Sequence, residues 1–158
     1  MKLSLRKGVS FGLTSGIITT IGLIVGLYSA TSSKLAVIGG IITIAIADSM
    51  SDALGIHISE EAEHIHTCDE VWESTFATFL SKFVLALIFI IPVLMFSLMT
   101  AVIISVIFGM LILSFLSFKI AKKGKSRPVK AIFEHLIIAI IVIILTYYLG
   151  RFVSLRFA

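Results

Sequence analysis

The chain has 158 residues, of which 58 % are hydrophobic, and its mean hydropathy is +1.13. These values exceed the range of soluble globular domains, and the apolar runs are continuous rather than alternating as in a β-barrel. The sequence therefore predicts an all-α integral membrane protein with one domain, 1–158. The net charge of +4 comes from basic residues beside the apolar runs, which favours a topology signal and argues against a nucleic-acid partner. A single cysteine excludes an intrachain disulfide.

The first predicted span covers about residues 9–28 and carries a regular pattern of small residues. Its glycines, spaced by four, are Gly8, Gly12 and Gly16, then Gly22 and Gly26, and its hydroxyl residues include Thr14, Ser15, Thr19 and Thr20. Such a stripe lets a second helix approach closely, and the hydroxyls can bond to the helix itself or to a neighbour. The pattern predicts either helix packing alone or the lining of a pathway or of a seam between protomers.

The second predicted span covers about residues 35–54 and contains two acids, Asp48 and Asp52. Charged residues inside a membrane span are costly and indicate function by default. Because the two are four residues apart, they share one face of the helix. We expect them to bind a cation, to carry protons, or to alternate between the two. The alternative is that both lie at the membrane interface, solvated or paired with Lys82.

The segment 56–73 is predicted to be a short hairpin rich in metal-binding side chains. His57, Glu61 and His64 follow helical spacing, and 67–70 has the pattern of a capping box that starts a second helix. The candidate ligands are His57, Glu60, Glu61, His64, His66, Cys68, Asp69, Glu70 and Glu73. Imidazole and carboxylate at these spacings suit Fe²⁺, Mn²⁺ or Zn²⁺. The alternative is an ordinary solvated acidic loop.

Three further spans are predicted at about 75–96, 101–118 and 131–150, and we assign the first two of these no chemistry. The last opens with Glu134 and His135, which are expected to lie at the interface; the alternative is that they join the inner acidic site. Lys82 is expected to snorkel to the interface, and Pro92 to kink its helix. The basic segment 119–130 is predicted to be a surface loop that acts as a topology signal; binding of anionic lipid headgroups is the alternative.

The distribution of basic residues predicts the orientation. With five spans, ten lysines and arginines fall on one side and three, Lys34, Arg151 and Arg156, on the other. Positive charge is retained in the cytoplasm, so the N-terminus and the hairpin are predicted to be cytoplasmic and the C-terminus outside. The expected location is the plasma membrane of a prokaryote.

Two stretches resemble the signature helices of the vacuolar iron transporter family. Residues 15–27, SGIITTIGLIVGL, resemble its first helix, DG-x-x-TT-x-GL-x-x-G, and residues 47–59, ADSMSDALGIHIS, resemble its second, A-x-x-MS-x-x-x-GEY-x-S. The matching positions are Gly16, Thr19, Thr20, Gly22, Gly26, Met50, Ser51, Gly55 and Ser59. The chain departs from the pattern at the first-helix aspartate, which is Ser15, and at the glutamate and tyrosine of GEY, which are Ile56 and His57.

The resemblance implies a divergent, prokaryotic-type member of that family that lacks the long cytoplasmic metal-binding domain. It implies a five-helix protomer, a homodimer that meets along the first helix, and proton-coupled movement of Fe²⁺ or Mn²⁺ out of the cytosol. It also implies that Met50 is a soft ligand of the pathway. Asp48 and Asp52 stand where members usually have small or apolar residues, so the carboxylates are interpreted as moved from one helix to another.

We therefore predict a transporter of Fe²⁺ or Mn²⁺, with Zn²⁺ as a further candidate, that exports or sequesters the ion from the cytosol in exchange for protons. It is expected to have no prosthetic group, and its partners are the bilayer and a second protomer. An enzyme is disfavoured because the sequence contains no HExxH or nucleophile motif. The remaining alternative is a non-transporting metal sensor or assembly protein, which predicts metal binding without flux.

Overall fold

A computed structural model describes residues 2–63, 65–124 and 127–157, and the regular structure of these residues is entirely α-helical. The helices are α1 (Leu3–Thr31), α2 (Lys34–Glu63), α3 (Cys68–Ile88), α4 (Ile90–Met95), α5 (Leu98–Lys123) and α6 (Pro128–Phe157). Within these residues, five helices are long and apolar enough to cross a membrane, with α3 and α4 acting together as one span, Cys68–Met95. The prediction of an all-α integral membrane protein with five membrane helices is confirmed.

Pro92 accounts for the break between α3 and α4. Proline has no N–H to donate, and its ring clashes with the carbonyl four residues earlier, which here is that of Ile88. The helix adjusts at Phe89, whose N–H bonds to the Ala86 carbonyl at 3.1 Å, one residue short of α-helical spacing. At the far end of α4, Lys34 Nζ donates to the Leu94 carbonyl at 3.2 Å, which satisfies one of the free carbonyls of the helix end.

The helix α1 is central, and α2, α3, α5 and α6 all pack against it. Its glycine stripe faces α3: a Cβ on Gly12 would lie 2.5 Å from the Thr78 carbonyl oxygen, and one on Gly8 would collide with the Ser74 carbonyl. Further along, Gly22 faces Val142 of α6. The stripe thus packs helices within one chain, which is the first of the alternatives that its spacing predicts.

Most basic side chains lie at one end of the bundle. Lys2 contacts Glu73 at the start of α3, Lys7 contacts Glu60 near the end of α2, and Arg6 lines a groove with Lys119 of α5. Lys34, Arg151 and Arg156 lie in the segments that approach the opposite end. We refer to the end that carries most of the basic side chains as the basic end.

The outer surface of the bundle is apolar. The described part of α6 buries only Ala139 and Gly150, and its outward residues, such as Ile141, Leu145 and Leu149, are half exposed or more. A surface of this kind is stable against hydrocarbon, where it needs no polar cover. The polar groups that matter for function therefore lie inside the bundle or at its basic end.

Candidate metal centre

Four side chains from three helices meet inside the membrane region, and we call them the aspartate–lysine cluster: Ser15, Asp48, Asp52 and Lys82. Lys82 Nζ lies 2.5 Å from Oδ2 of Asp48 and 2.5 Å from Oδ2 of Asp52. Ser15 Oγ donates to Asp52 Oδ2 at 2.6 Å and accepts from Lys82 Nζ at 3.1 Å. One ammonium therefore holds two carboxylates, and α1 supplies a hydroxyl to the same site.

Lys82 does not snorkel, contrary to the prediction from the sequence. Its side chain is 2 % exposed, and it begins about 20 Å along α3 from the basic end, at 1.5 Å per residue. The stem lies against Gly16, where an added Cβ would be 3.1 Å from Lys82 Cγ. The two aspartates attract the ammonium inward, and the missing side chain at Gly16 leaves room for the stem.

The carboxylates of the cluster are more exposed to solvent than the ammonium between them. The Asp48 and Asp52 side chains are 31 % and 21 % exposed, while the ammonium between them is enclosed. Each carboxylate offers about four acceptor positions, so a single ammonium does not saturate the pair. With both acids ionised and the lysine charged, the cluster carries one net negative charge. It can accept a further cation, and carboxylate oxygens with a hydroxyl suit hard or borderline divalent ions.

A second group of donors lies at the basic end, and we call it the hairpin cluster: Lys7, Glu60, Glu63 and His66. Glu60 is fully buried and pairs with Lys7, and His66 Nε2 lies 3.1 Å from Glu60 Oε2 and 3.5 Å from Glu63 Oε2. One ligand atom from each of the two glutamates and the histidine lies within 4.8 Å of the others. The bond from Lys7 to Glu60 raises the pKa of Lys7 above its ordinary value. The cluster lines an open cavity of about 580 Å³ beside Ser10 and Thr14 of α1.

A comparison with known protein families identifies the family of this chain. The model of the VIT family matches residues 56–151, which is more than half of the chain. The chain belongs to the VIT family. A search of the curated proteins finds no match. Membership in the VIT family, the vacuolar iron transporters, indicates metal transport in general and is consistent with a protein that is not an enzyme.

The matched region and the signature helices cover different parts of this VIT protein. The family match begins at residue 56, whereas the resemblance noted in the sequence ends near residue 60. At the signature position where the VIT pattern has aspartate, Ser15 bonds to the Asp52 carboxylate. At the position of the GEY glutamate, Ile56 is a buried apolar residue. At the first of these departures, a carboxylate from α2 therefore reaches the first-helix position.

Met50 and His57 lie away from the aspartate–lysine cluster. Met50 is 58 % exposed and lines a largely apolar cavity of about 320 Å³ between α2 and α3. His57 lines the same cavity; its Nδ1 lies 3.0 Å from Thr75 Oγ1, and its ring packs edge-on against Trp72. The structure does not bring the sulfur that the family resemblance implied as a soft ligand to the two aspartates.

Two acids of the predicted hairpin set have structural partners. Glu70 closes the predicted capping box, accepting from the Thr67 N–H at 3.0 Å, and this bond lowers the pKa of Glu70. Glu73 receives Lys2 at 2.5 Å and the Ser4 hydroxyl at 2.8 Å, and the lysine bond lowers the pKa of Glu73. Both carboxylates thus fasten the start of α3, one to its own first turn and one to α1.

The remaining predicted residues are dispersed. Glu61, Cys68 and Asp69 are exposed, and His64 lies outside the described residues. In α1, Thr19 Oγ1 donates to the Ser15 carbonyl at 3.0 Å, and Thr20 is buried with its hydroxyl unpartnered among the described contacts. Thr19 thus bonds within its own helix next to Ser15. Of the stripe predicted at His57, Glu61 and His64, His57 lies in the apolar cavity and Glu61 is exposed, and the third member is the histidine outside the described residues.

Sequence reasoning missed the roles of Lys7 and Glu63, and it named Lys82 as a partner of the two aspartates only in the alternative that puts them at the membrane interface. Glu63 is one turn beyond Glu60 and on the same face, a spacing that could have found it. For Lys82 the available signal was its depth in the membrane. At 1.5 Å per residue, it lies about as far along its helix from the basic end as Asp48 and Asp52 do along theirs. Nothing in the local sequence of Lys7 marks it as the partner of Glu60.

Proposed function

We propose that this VIT protein transports Fe²⁺ or Mn²⁺ out of the cytosol, with the aspartate–lysine cluster as the binding site midway along the path and protons as the counter-ion. The observation that supports it is the pair of partly exposed carboxylates, Asp48 and Asp52, held deep in the bundle by the enclosed Lys82. Ionisable groups at such depth mark ion pathways in membrane proteins.

The bond between Ser15 and Asp52 supports a relocation of the charge. The VIT signature has an aspartate on the first helix, and here that position bears a hydroxyl which donates to a second-helix carboxylate at 2.6 Å. A metal at this point would meet a carboxylate oxygen in the same region of the bundle, although the residue that supplies it differs. The relocation therefore preserves the chemistry and changes the helix that carries it.

Lys82 is proposed to occupy the site when no metal is bound. An ammonium within 2.5 Å of both carboxylates competes with any other cation for the same oxygens. A divalent ion that binds there changes the net charge of the cluster from −1 to +1 while Lys82 remains charged. Excess charge in a low-dielectric interior is unfavourable. The Lys82 ammonium carries the proton that the cluster can give up, so metal binding is expected to release that proton and bring the net charge to zero. Protons are the proposed counter-ion, and this exchange couples the two fluxes.

The hairpin cluster is proposed to collect metal from the cytosol. Two carboxylates and an imidazole suit Fe²⁺, Mn²⁺ or Zn²⁺ better than Mg²⁺. Lys7 is 39 % exposed and can withdraw into water when a metal reaches Glu60 and Glu63. The excess of basic residues at this end supports a cytoplasmic location for the cluster, and with that orientation we propose export as the direction.

A homodimer that meets along α1 is also proposed, on a face other than the glycine stripe. Phe11 and Thr14 of α1 line the open cavity beside the hairpin cluster, and Phe11 is 40 % exposed. A second protomer on this side would cover the cavity and place two hairpin clusters near each other.

Flux into proteoliposomes tests the function. The informative variant is Asp48→Asn/Asp52→Asn/Lys82→Met, because it removes the carboxylates and their partner together and leaves no unpaired charge inside the bundle. We expect Mn²⁺ and Fe²⁺ uptake, driven by a pH gradient, to fall to the background of empty liposomes. The matched control is Glu61→Gln, which removes an exposed acid outside both clusters and should transport as the wild type does.

Two outcomes would contradict the proposal. Undiminished uptake by the triple variant would remove the aspartate–lysine cluster from the pathway. Metal binding by the wild-type protein with no flux under any gradient would instead identify a sensor or an assembly protein.

A further inference from the structure

A groove between α1 and α5 at the basic end has the properties of a lipid site. It encloses about 250 Å³. Arg6 from α1 and Lys119 and Lys123 from α5 line one part of it, and Val9, Leu13 and Leu116 line the other. Both helices thus contribute charge and apolar surface, and no residue of the two clusters described above lines the groove.

The two parts of the groove lie at different depths. Val9 and Leu13 fall within the predicted first span, and Leu116 falls within the predicted fourth span. Arg6 precedes the first of these spans by one turn, and Lys119 immediately follows the other. The basic part therefore lies at the level of the headgroups on the cytoplasmic side, and the apolar part extends into the hydrocarbon region.

The charge of the groove selects its occupant. Three cationic side chains and no acid line it, among the residues that the structure describes. The cavity beside the hairpin cluster adjoins the groove and shares Arg6, Ser10 and Ile120 with it, but its charge is different, because Glu60 and Glu63 line it and Lys7 is paired there. A phosphate diester is attracted to the groove, whereas the trimethylammonium group of a zwitterionic lipid would meet three like charges.

We propose that this groove binds one anionic phospholipid of the inner leaflet. Arg6, Lys119 and Lys123 hold the phosphate, and an acyl chain lies along Val9, Leu13 and Leu116. Basic pockets between membrane helices at the cytoplasmic face are suited to such headgroups, and arginine adds bidentate geometry for phosphate oxygens. A free phosphate ion would use the basic part only, so the apolar part distinguishes the lipid from the ion.

Native mass spectrometry of the full chain in detergent tests this site. The protein is incubated with equal amounts of phosphatidylglycerol and phosphatidylcholine, and the retained lipids are counted. We expect one phosphatidylglycerol to be retained at least tenfold more often than phosphatidylcholine. The variant Arg6→Gln/Lys119→Gln/Lys123→Gln should lose this preference. The control Lys122→Gln/Arg127→Gln/Lys130→Gln removes three charges from the same end but none from the groove, and it should keep the preference.

Both variants should keep the helical content of the wild type, because the substituted side chains are exposed or half-buried. Circular dichroism checks this. Equal retention of the two lipids by the wild type would overturn the proposal, and so would an equal loss in the groove variant and the control. Displacement of phosphatidylglycerol by millimolar inorganic phosphate would also overturn it, because it would identify a site for the ion that makes no use of the apolar part.

Discussion

The aspartate–lysine cluster and the hairpin cluster contain similar groups, two carboxylates and one lysine, but they bury opposite charges. In the first, the Lys82 side chain is 2 % exposed while Asp48 and Asp52 are 31 % and 21 % exposed. In the second, Glu60 is fully buried and Lys7 is 39 % exposed. In the aspartate–lysine cluster the enclosed group is therefore the cation, whereas in the hairpin cluster it is an anion.

The difference indicates how each cluster meets a metal. At the basic end the lysine can move into water, and its departure leaves Glu60, Glu63 and His66 for an incoming ion. Inside the bundle the lysine has no such route, so an arriving ion and Lys82 must share the same carboxylates. The hairpin cluster is suited to reversible collection, and the aspartate–lysine cluster to an exchange of charges.

The largest expected effect comes from removing the enclosed cation. Lys82→Met leaves Asp48 and Asp52 facing each other without a counter-ion, and breaking a buried ion pair in this way costs about 3–5 kcal/mol. The partial exposure of the aspartates places the expected loss near the lower end of that range. Thermal unfolding in detergent measures it, and Asp48→Asn/Asp52→Asn added to Lys82→Met should restore most of the loss. A Lys82→Met protein as stable as the wild type would show that the three residues are not coupled.

A smaller effect is expected from the packing that places Lys82 beside Ser15. Gly12→Ala forces a methyl group to within 2.5 Å of the Thr78 carbonyl oxygen, and overpacking of this kind costs about 1–3 kcal/mol. Gly39→Ala is the matched control, because nothing lies within 4 Å of its added Cβ, and alanine there should stabilise the helix by up to about 1 kcal/mol. Opposite shifts of the melting temperature are predicted; shifts of the same sign would contradict the α1–α3 interface.

The corresponding change at the basic end should be milder than Lys82→Met. Lys7→Gln removes the ammonium from Glu60 and Glu63, but His66 remains 3.1 Å from Glu60 and an amide can still donate to the carboxylates. We expect a loss of about 1–2 kcal/mol, reduced because Lys7 is partly solvated. Mn²⁺ binding by the hairpin should become tighter, since a competing cation is gone, and isothermal titration measures it. Weaker binding would show that Lys7 supports the site and does not block it.

The smallest effect concerns the contact between Lys2 and Glu73. The lysine bond holds the pKa of Glu73 below its ordinary value of 4.5. A carboxyl group with a lowered pKa contributes stability that is present above pH 4.5 and is lost as the pH falls through its folded-state value. When the pH is lowered from 6 to 3.5, the melting temperature of the wild type should therefore fall slightly further than that of Glu73→Gln. If the melting temperatures of the two proteins change in parallel with pH, this contact does not stabilise the fold.

Much of the fold could be predicted from the sequence. Continuous apolar runs identified the five membrane helices, Pro92 identified the break after α3, and the pattern from Thr67 to Glu70 identified the capping box. Each of these is a local signal, since it depends on neighbouring residues along one helix.

The candidate site was only partly predictable, because its contacts join residues far apart in the chain. The spacing of Asp48 and Asp52 put both on one face, but it did not show that Lys82 from another helix lies between them. The glycine spacing of α1 predicted a close approach and left its partner open, which the structure identifies as α3. His57 and Met50 have suitable chemistry for a metal, yet the direction of their side chains depends on the packing of α2 against α3.

The most direct test measures Mn²⁺ binding by a protein in which the metal ligands of the hairpin cluster are removed by Glu60→Gln/Glu63→Gln/His66→Gln. In this background any tight binding must come from elsewhere, and electron paramagnetic resonance of Mn²⁺ counts the bound ions. The account predicts that one site per chain remains, and that adding Asp48→Asn/Asp52→Asn/Lys82→Met abolishes it. A remaining site that is unaffected by this second set of changes would contradict the claim that the aspartate–lysine cluster binds the transported metal.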